Sequence, residues 1–260
     1  MRKLHTCIGL VAGVYVLLMS LSGSILVFYK ELYQGLKPQP LVVMKGDRLN
    51  RAQLKQAALR EHPNYEVSWI WDSEAAGPVE IWMSNSHDHI ERLFDPFSGR
   101  EFGAAIPVSI RVLNGLKELH GTLAAGIAGR IVNAVGALCL IFLGVSGASA
   151  LHPRLVRRFL KAHHFRKDFR KVPHQVAGFW AMPFMMMWGA TGMVLALEPF
   201  AHLINAPAGL TTVGYALHAG SFAWWPIRAV PVVFGIATTL LIITGTAAWW
   251  KRTRRLGEAI

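Results

Sequence analysis

Hydrophobic positions along the chain fall into two regimes. Four stretches, 6–28, 131–151, 175–197 and 227–250, are almost continuously apolar. Each is long enough for the roughly 20 helical residues that cross about 30 Å of hydrocarbon. Lipid offers the backbone no hydrogen-bond partner, so all four are expected to be transmembrane helices. Between Pro38 and Gly103 the pattern changes to short amphipathic elements, which predicts a small water-exposed domain. Asn50 is placed to cap a helix over 51–61 that carries Leu54, Ala58 and Leu59 on one face, and His62-Pro63 ends it. Strands are expected at 65–72, 79–85 and 89–94, followed by turn chemistry in Asp95-Pro96-Phe97-Ser98-Gly99.

Composition agrees with a membrane protein, since 53% of the 260 residues are hydrophobic and only 16% charged. The apolar run at 6–28 is too long for a signal peptide and is expected to stay as an anchor. Basic residues set the expected orientation, because Lys and Arg collect on the cytoplasmic side. Arg2 and Lys3 precede the first helix, the 151–173 connection carries eight basic residues against the single acid Asp168, and the tail holds Lys251, Arg252, Arg254 and Arg255. The expected layout is a transmembrane helix in 1–32, a periplasmic domain in 33–110, a second helix in 111–152 and a cytoplasmic basic loop in 153–171. A third helix in 172–199 follows, and 200–260 holds a periplasmic loop, the fourth helix and a cytoplasmic tail. Both termini are then cytoplasmic and the setting is a bacterial inner membrane. Of the 15 acidic residues, 12 lie between Glu31 and Glu118, so the net charge of +12 is an orientation signal. It points to membrane lipid as the surrounding and excludes nucleic acid as a partner. Cys7 and Cys139 fall at opposite expected depths, which argues for small-residue packing and against a disulfide between them.

An internal repeat sharpens the picture. His5 precedes Ser22-Gly23 as His174 precedes Thr191-Gly192, with 23 − 5 = 18 and 192 − 174 = 18. His120, Arg130 and Ser146-Gly147 match His218, Arg228 and Thr244-Gly245, with offsets of 10 and 27 in both. The first pair is shifted by 174 − 5 = 169 residues and the second by 218 − 120 = 98, and the excess of 71 is the inserted domain. The predicted fold is therefore an all-α membrane four-helix bundle made of a duplicated helical hairpin, with a small α+β domain inserted in the first copy.

Duplication puts matched histidines at matched depths: His5 with His174 near the cytoplasmic face, His120 with His218 near the periplasmic face. An ionisable residue at membrane depth is a functional candidate by default. Interfacial packing competes as an explanation for any one of these histidines, but four at repeat-matched positions weaken it. Two imidazoles facing each other from different helices can supply both axial ligands of a haem b, and two such pairs call for two haems. Arg130 and Arg228 are placed for haem propionates, with interfacial snorkelling as the competing role. Gly9, Gly121, Gly126, Gly178 and Gly220 would admit a macrocycle near the backbone, or serve ordinary close helix packing. His152, His163 and His164 in the basic loop are alternative ligands. His87 and His89, at alternate strand positions, suggest an external metal pair, against the simpler reading of two solvated edge residues.

The helix followed by strands and a D-P-x-S-G turn resembles a PepSY domain. L-H-x3-G-L opening helix one, L-H-G before helix two, H-x3-G opening helix three and L-H-A-G with Arg228 before helix four resemble the PepSY-associated transmembrane family. That resemblance implies a haem-containing inner-membrane reductase of ferric siderophores. An electron from an unknown donor would pass from the haem at His5 and His174 to the one at His120 and His218, then to ferric iron or a ferric siderophore in the periplasm. Distance argues against a simple wire: His120 precedes His152 by 32 residues, about 45 Å along a straight helix, unless the helix bends at Gly126 and Gly129 or breaks at Pro226. The runner-up is a non-enzymatic accessory or sensor protein whose outer domain binds a peptide or partner. A second rival, an iron or haem transporter, is disfavoured because the membrane segments lack the acidic residues expected of a cation path.

Overall fold

The computed structural model describes residues 2–72, 77–150, 173–207, 209–221 and 228–257. His152, His163 and His164 lie outside the described residues. In chain order the helices are α1 (Arg2–Val11), α2 (Gly13–Leu26), α3 (Tyr29–Leu36), α4 (Arg51–Glu61), α5 (Val108–Thr122), α6 (Gly126–Ala150), α7 (Pro173–Ala196), α8 (Leu210–Ala219) and α9 (Ala229–Gly257). The strands are β1 (Glu66–Trp71), β2 (Val79–Ser84), β3 (His89–Phe94) and β4 (Glu101–Ala104), and a 3-10 segment covers Glu198–Ile204. The chain divides into two units, residues 30–114 and residues 1–29 with 115–260. It is mostly helical, with one small antiparallel sheet.

In the helical unit α6, α7 and α9 are each long and apolar enough to cross a membrane, and the pair α1 and α2 makes a fourth span if counted as one. The first stretch is not the straight helix expected from its hydropathy, because α1 and α2 meet at 60°. Ala12 N–H donates to Ile8 O and Val16 N–H to Ala12 O, both at 2.8 Å, and the helical ladder is interrupted between them. Gly13 opens α2, where an added Cβ would stand 3.4 Å from Ile242 of α9. Small residues likewise bring α6 and α7 together, with Gly144 against Met186 and Gly189 against Ile141. Ala181, Met185 and Leu241 form the buried centre, with Phe234 and Leu140 packed on it.

The second helix does not run unbroken through 111–152: α5 ends at Thr122 and α6 starts at Gly126, after a corner that hydropathy does not register. Leu123 and Ala124 both adopt positive φ, at 52° and 55°, and Gly126 follows at 55°. This left-handed corner turns the chain sharply, so that the C-terminal end of α5 stands beside the first turns of α6. Asn133 Nδ2 of α6 donates to His120 O and Gly121 O, both at 2.9 Å. In the second copy Gly220 caps α8 at φ 64° ahead of α9.

The inserted unit follows from its own sequence. Asn50 and Gln53 close a capping box at the start of α4, which satisfies two orphan N–H groups. Its Leu54 and Ala58 pack on Val79, Ile81, Met83 and Phe94 of the sheet, whose strands run in the order β1-β2-β3-β4. Leu59, expected beside Leu54, is only half-buried, while Ala57 is buried. The helical stripe therefore runs through 54, 57 and 58. The fourth strand, Glu101–Ala104, escaped the sequence reading because it has four residues and a glycine. Asp95 makes the expected turn, its Oδ1 accepting from Phe97 N–H at 2.8 Å. His87 lies in the turn before β3, where its N–H donates to Asn85 Oδ1. Only His89 is on the strand, so the alternate-strand premise for a metal pair fails.

Leu54 is 1% exposed, so Leu54→Ala should destabilise the inserted unit by about 2–5 kcal/mol, and Leu59→Ala clearly less. Hydrogen exchange of β2 and β3 amides in the full-length protein measures both. Partial burial, with Glu80 alongside, pushes the Glu91 carboxyl up, and His89 opposes the shift. A carboxyl with a higher pKa folded than unfolded binds more protons in the folded state, so stability falls as pH rises through that range. Protection of the same amides should therefore increase from neutral to weakly acidic pH, and Glu91→Gln should flatten the increase.

Candidate functional site

Four histidines come from four different helices of the helical unit. His5 lies on α1 and His174 opens α7, where Pro173 suits the first helical position. His120 and His218 stand near the C-terminal ends of α5 and α8. The bend at Ala12 and the left-handed corner after α5 place them as two pairs. The His5 and His174 rings lie 6.3 Å apart, centre to centre. Those of His120 and His218 lie 6.1 Å apart. An imidazole nitrogen sits about 2 Å from a metal it ligates, and two rings facing one ion carry their centres about 6 Å apart.

Every one of these rings is tied back through Nδ1. His5 Nδ1 is 2.8 Å from Ser146 Oγ, and His120 Nδ1 is 2.8 Å from Ser22 Oγ. His218 Nδ1 is 2.9 Å from Thr191 Oγ1. His174 Nδ1 is 3.0 Å from Leu241 O and 3.3 Å from Thr244 Oγ1. Sequence reading used these hydroxyl residues only to align the repeat. The signal that could have found them is that each stands directly before a glycine.

A cavity of about 400 Å³ lies between His5 and His174, with Gly9, Gly147, Gly178 and Gly245 in its wall. Its size is within the range of cofactor pockets, about 300–1,000 Å³. Arg2 and Arg252 also line it; the sequence reading used them only for orientation. Of the glycines singled out from the sequence, Gly9 and Gly178 therefore border the cavity. Gly126 and Gly220 instead have positive φ and shape the chain reversals, and an added Cβ at Gly121 would meet nothing within 4 Å. Arg130 Nη1 donates to Leu195 O at 3.2 Å and stands 3.5 Å from Glu198 Oε2, so a propionate would share this guanidinium with the end of α7. Arg228 is half-buried just before α9. Among the described residues no three His, Cys, Asp or Glu side chains gather as a metal site, and the cluster chemistry is that of two-histidine pairs.

The corner after α5 also sets the spacing of the pairs. Ser146, beside His5, and Asn133, bonded to the His120 backbone, are both on α6 and 146 − 133 = 13 residues apart, or about 20 Å. That is shorter than the about 45 Å from His120 to His152 along one straight helix, because the chain turns sharply between α5 and α6 and the end of α5 stands beside Asn133.

That corner admits no side chain at Gly129, where an added Cβ would stand 1.5 Å from Thr122 O. Gly129→Ala should force α5 from α6, destabilise the protein by about 3 kcal/mol and loosen His120. Gly115→Ala in α5 is the control, since an added Cβ there meets nothing within 4 Å. Thermal unfolding of the detergent-solubilised variants measures the difference.

No curated protein matches the chain. The family model describing the PepSY-associated TM region matches residues 2–209 and, in a second match, 200–252. With the two histidine pairs held in repeat-related hairpins and a match over most of its length, the chain belongs to the PepSY-associated transmembrane family.

Proposed function

We propose that this protein is a b-type haem electron-transfer protein of the inner membrane that reduces ferric iron or a ferric siderophore on the periplasmic side. In this reading α1 with α2, α6, α7 and α9 form a four-helix bundle with both termini in the cytoplasm, and the inserted unit faces the periplasm. The observation that carries it is the two pairs of imidazoles with ring centres 6.3 and 6.1 Å apart, each ring bonded at Nδ1 to a neighbouring helix. The two histidine pairs would hold haem iron, and the glycine-walled cavity at His5 and His174 would take a flat apolar ring. Haem b, two per chain, would supply reversible one-electron chemistry.

His5 and His174 would hold the cytoplasmic site, within reach of an electron donor whose identity is open. His120 and His218 would hold the periplasmic one. Arg130 and Arg228 would pair with carboxylates at that outer site, and Arg2 and Arg252 at the inner one. Two histidines from this chain would hold each iron, so a ferric substrate would meet the edge of the site and not the held iron. Reduction to Fe(II) weakens the hold of hard oxygen donors and releases the metal from a siderophore.

Absorption spectroscopy of the purified, detergent-solubilised protein tests this directly. Wild type should show the low-spin spectrum of bis-imidazole haem b. His5→Ala or His174→Ala should each lose about half the haem, as should His120→Ala or His218→Ala, and a variant in each pair together should lose all of it. Wild type without haem, or four single variants that all keep it in full, would overturn the proposal and favour an anchored accessory or sensor protein.

A further inference from the structure

We infer that Ser22, Ser146, Thr191 and Thr244 are positioning residues that fix each histidine in the tautomer with Nδ1 protonated and Nε2 bare. The inference rests on the haem reading for its purpose and on hydrogen bonding for its content. A hydroxyl has one proton to give, and these are already given. Ser22 Oγ donates to Leu18 O at 2.7 Å, Thr191 Oγ1 to Met187 O at 2.8 Å and Thr244 Oγ1 to Leu240 O at 2.7 Å. Such back-bonds to the carbonyl one turn earlier are the usual way a helix holds a Ser or Thr proton. Only oxygen lone pairs then face the imidazoles, so Nδ1 must be the donor. At His174 the Leu241 carbonyl settles the direction by itself, because a carbonyl can only accept. Ser146 has the weakest back-bond, 3.4 Å to Leu143 O, which makes His5 the least firmly held of the four.

The neighbouring glycine completes the seat. An added Cβ would stand 3.1 Å from His120 Cε1 at Gly23 and 3.0 Å from His174 Cε1 at Gly245. At Gly192 it would stand 3.4 Å from His218 Cε1, and at Gly147 3.5 Å from His5 Cε1. Cε1 joins the two ring nitrogens, so a side chain there would press on the ring beside the coordinating nitrogen. Hydroxyl and glycine together make one slot, repeated four times.

The slots are crossed. Ser22 follows His5 in the first span but serves His120, and Ser146 on α6 serves His5. The second hairpin repeats this, with Thr191 serving His218 and Thr244 serving His174. A hydroxyl substitution should therefore disturb the pair at the opposite end from the histidine of its own helix.

The test uses the full-length protein in two forms. In haem-free protein, nitrogen NMR of labelled histidine should show all four side chains as the Nδ1–H tautomer. Ser22→Ala should convert His120 alone to a mixture, and Ser22→Thr should restore it. In loaded protein, Ser22→Ala and Thr191→Ala should raise the midpoint potential of one haem and weaken its retention about tenfold, leaving the His5 and His174 haem unchanged. Mixed tautomers in wild type, unchanged tautomers in the alanine variants, or equal shifts of both haems would overturn the inference. Locked tautomers in a protein that takes up no haem would instead leave the positioning intact and remove the haem reading.

Discussion

An imidazole inside an apolar helical bundle has an N–H that must be matched and a second nitrogen that must be either matched or used. That constraint organises the helical unit. The N–H groups of His5, His120 and His218 are matched by a hydroxyl on a neighbouring helix, and that of His174 by the Leu241 carbonyl with Thr244 beside it. An unmatched buried donor would cost about 1–3 kcal/mol. The same contacts cross-link the halves of each hairpin and leave the second nitrogen of each ring outside them. Stability of the bundle and readiness for a ligand are thus served by one set of bonds, which is why small residues crowd the same places. Glycine follows each hydroxyl because the ring must come this close to the backbone.

The backbone irregularities have the same origin. A straight first span and a straight α5 continuing into α6 would leave His120 far above Ser22. The 60° bend at Ala12 and the left-handed corner at Leu123 and Ala124 bring the rings to their partners. Positive φ at two successive residues with side chains costs of order 1–3 kcal/mol each. Compensation is visible at the same corner, in two bonds from Asn133 to the end of α5 and in the direct contact of Gly129 with Thr122.

Much of this was legible in the sequence, for physical reasons. Apolar length marks membrane helices because lipid leaves few alternatives, and the three longest spans fall where hydropathy puts them. Equal histidine-to-glycine offsets expose the duplication, because each repeat must place the same ring at the same slot. Asn50 and Gln53 announce the start of α4 through local bonds alone. Illegible were features that depend on tertiary closure: the bend at Ala12, the reversal before Gly126, the short strand β4 and the half-exposed Leu59. Hydropathy reports whether a residue tolerates lipid, and it is silent on direction, so it does not show the sharp turn between α5 and α6. The hydroxyl residues were visible but mute, since their partners lie up to 141 residues away.

Crossing of the slots gives the duplication a physical meaning. A single hairpin contains two finished half-sites, one histidine with its hydroxyl at each end, and completes neither pair. His5 meets His174 and His120 meets His218 only when two hairpins pack together. Each copy therefore satisfies its imidazole N–H groups from within itself. What the second hairpin adds is the facing ring at both ends at once. The inserted unit lies in sequence between α2 and α5, and its 71 extra residues leave the histidine-to-glycine offsets of the two copies equal.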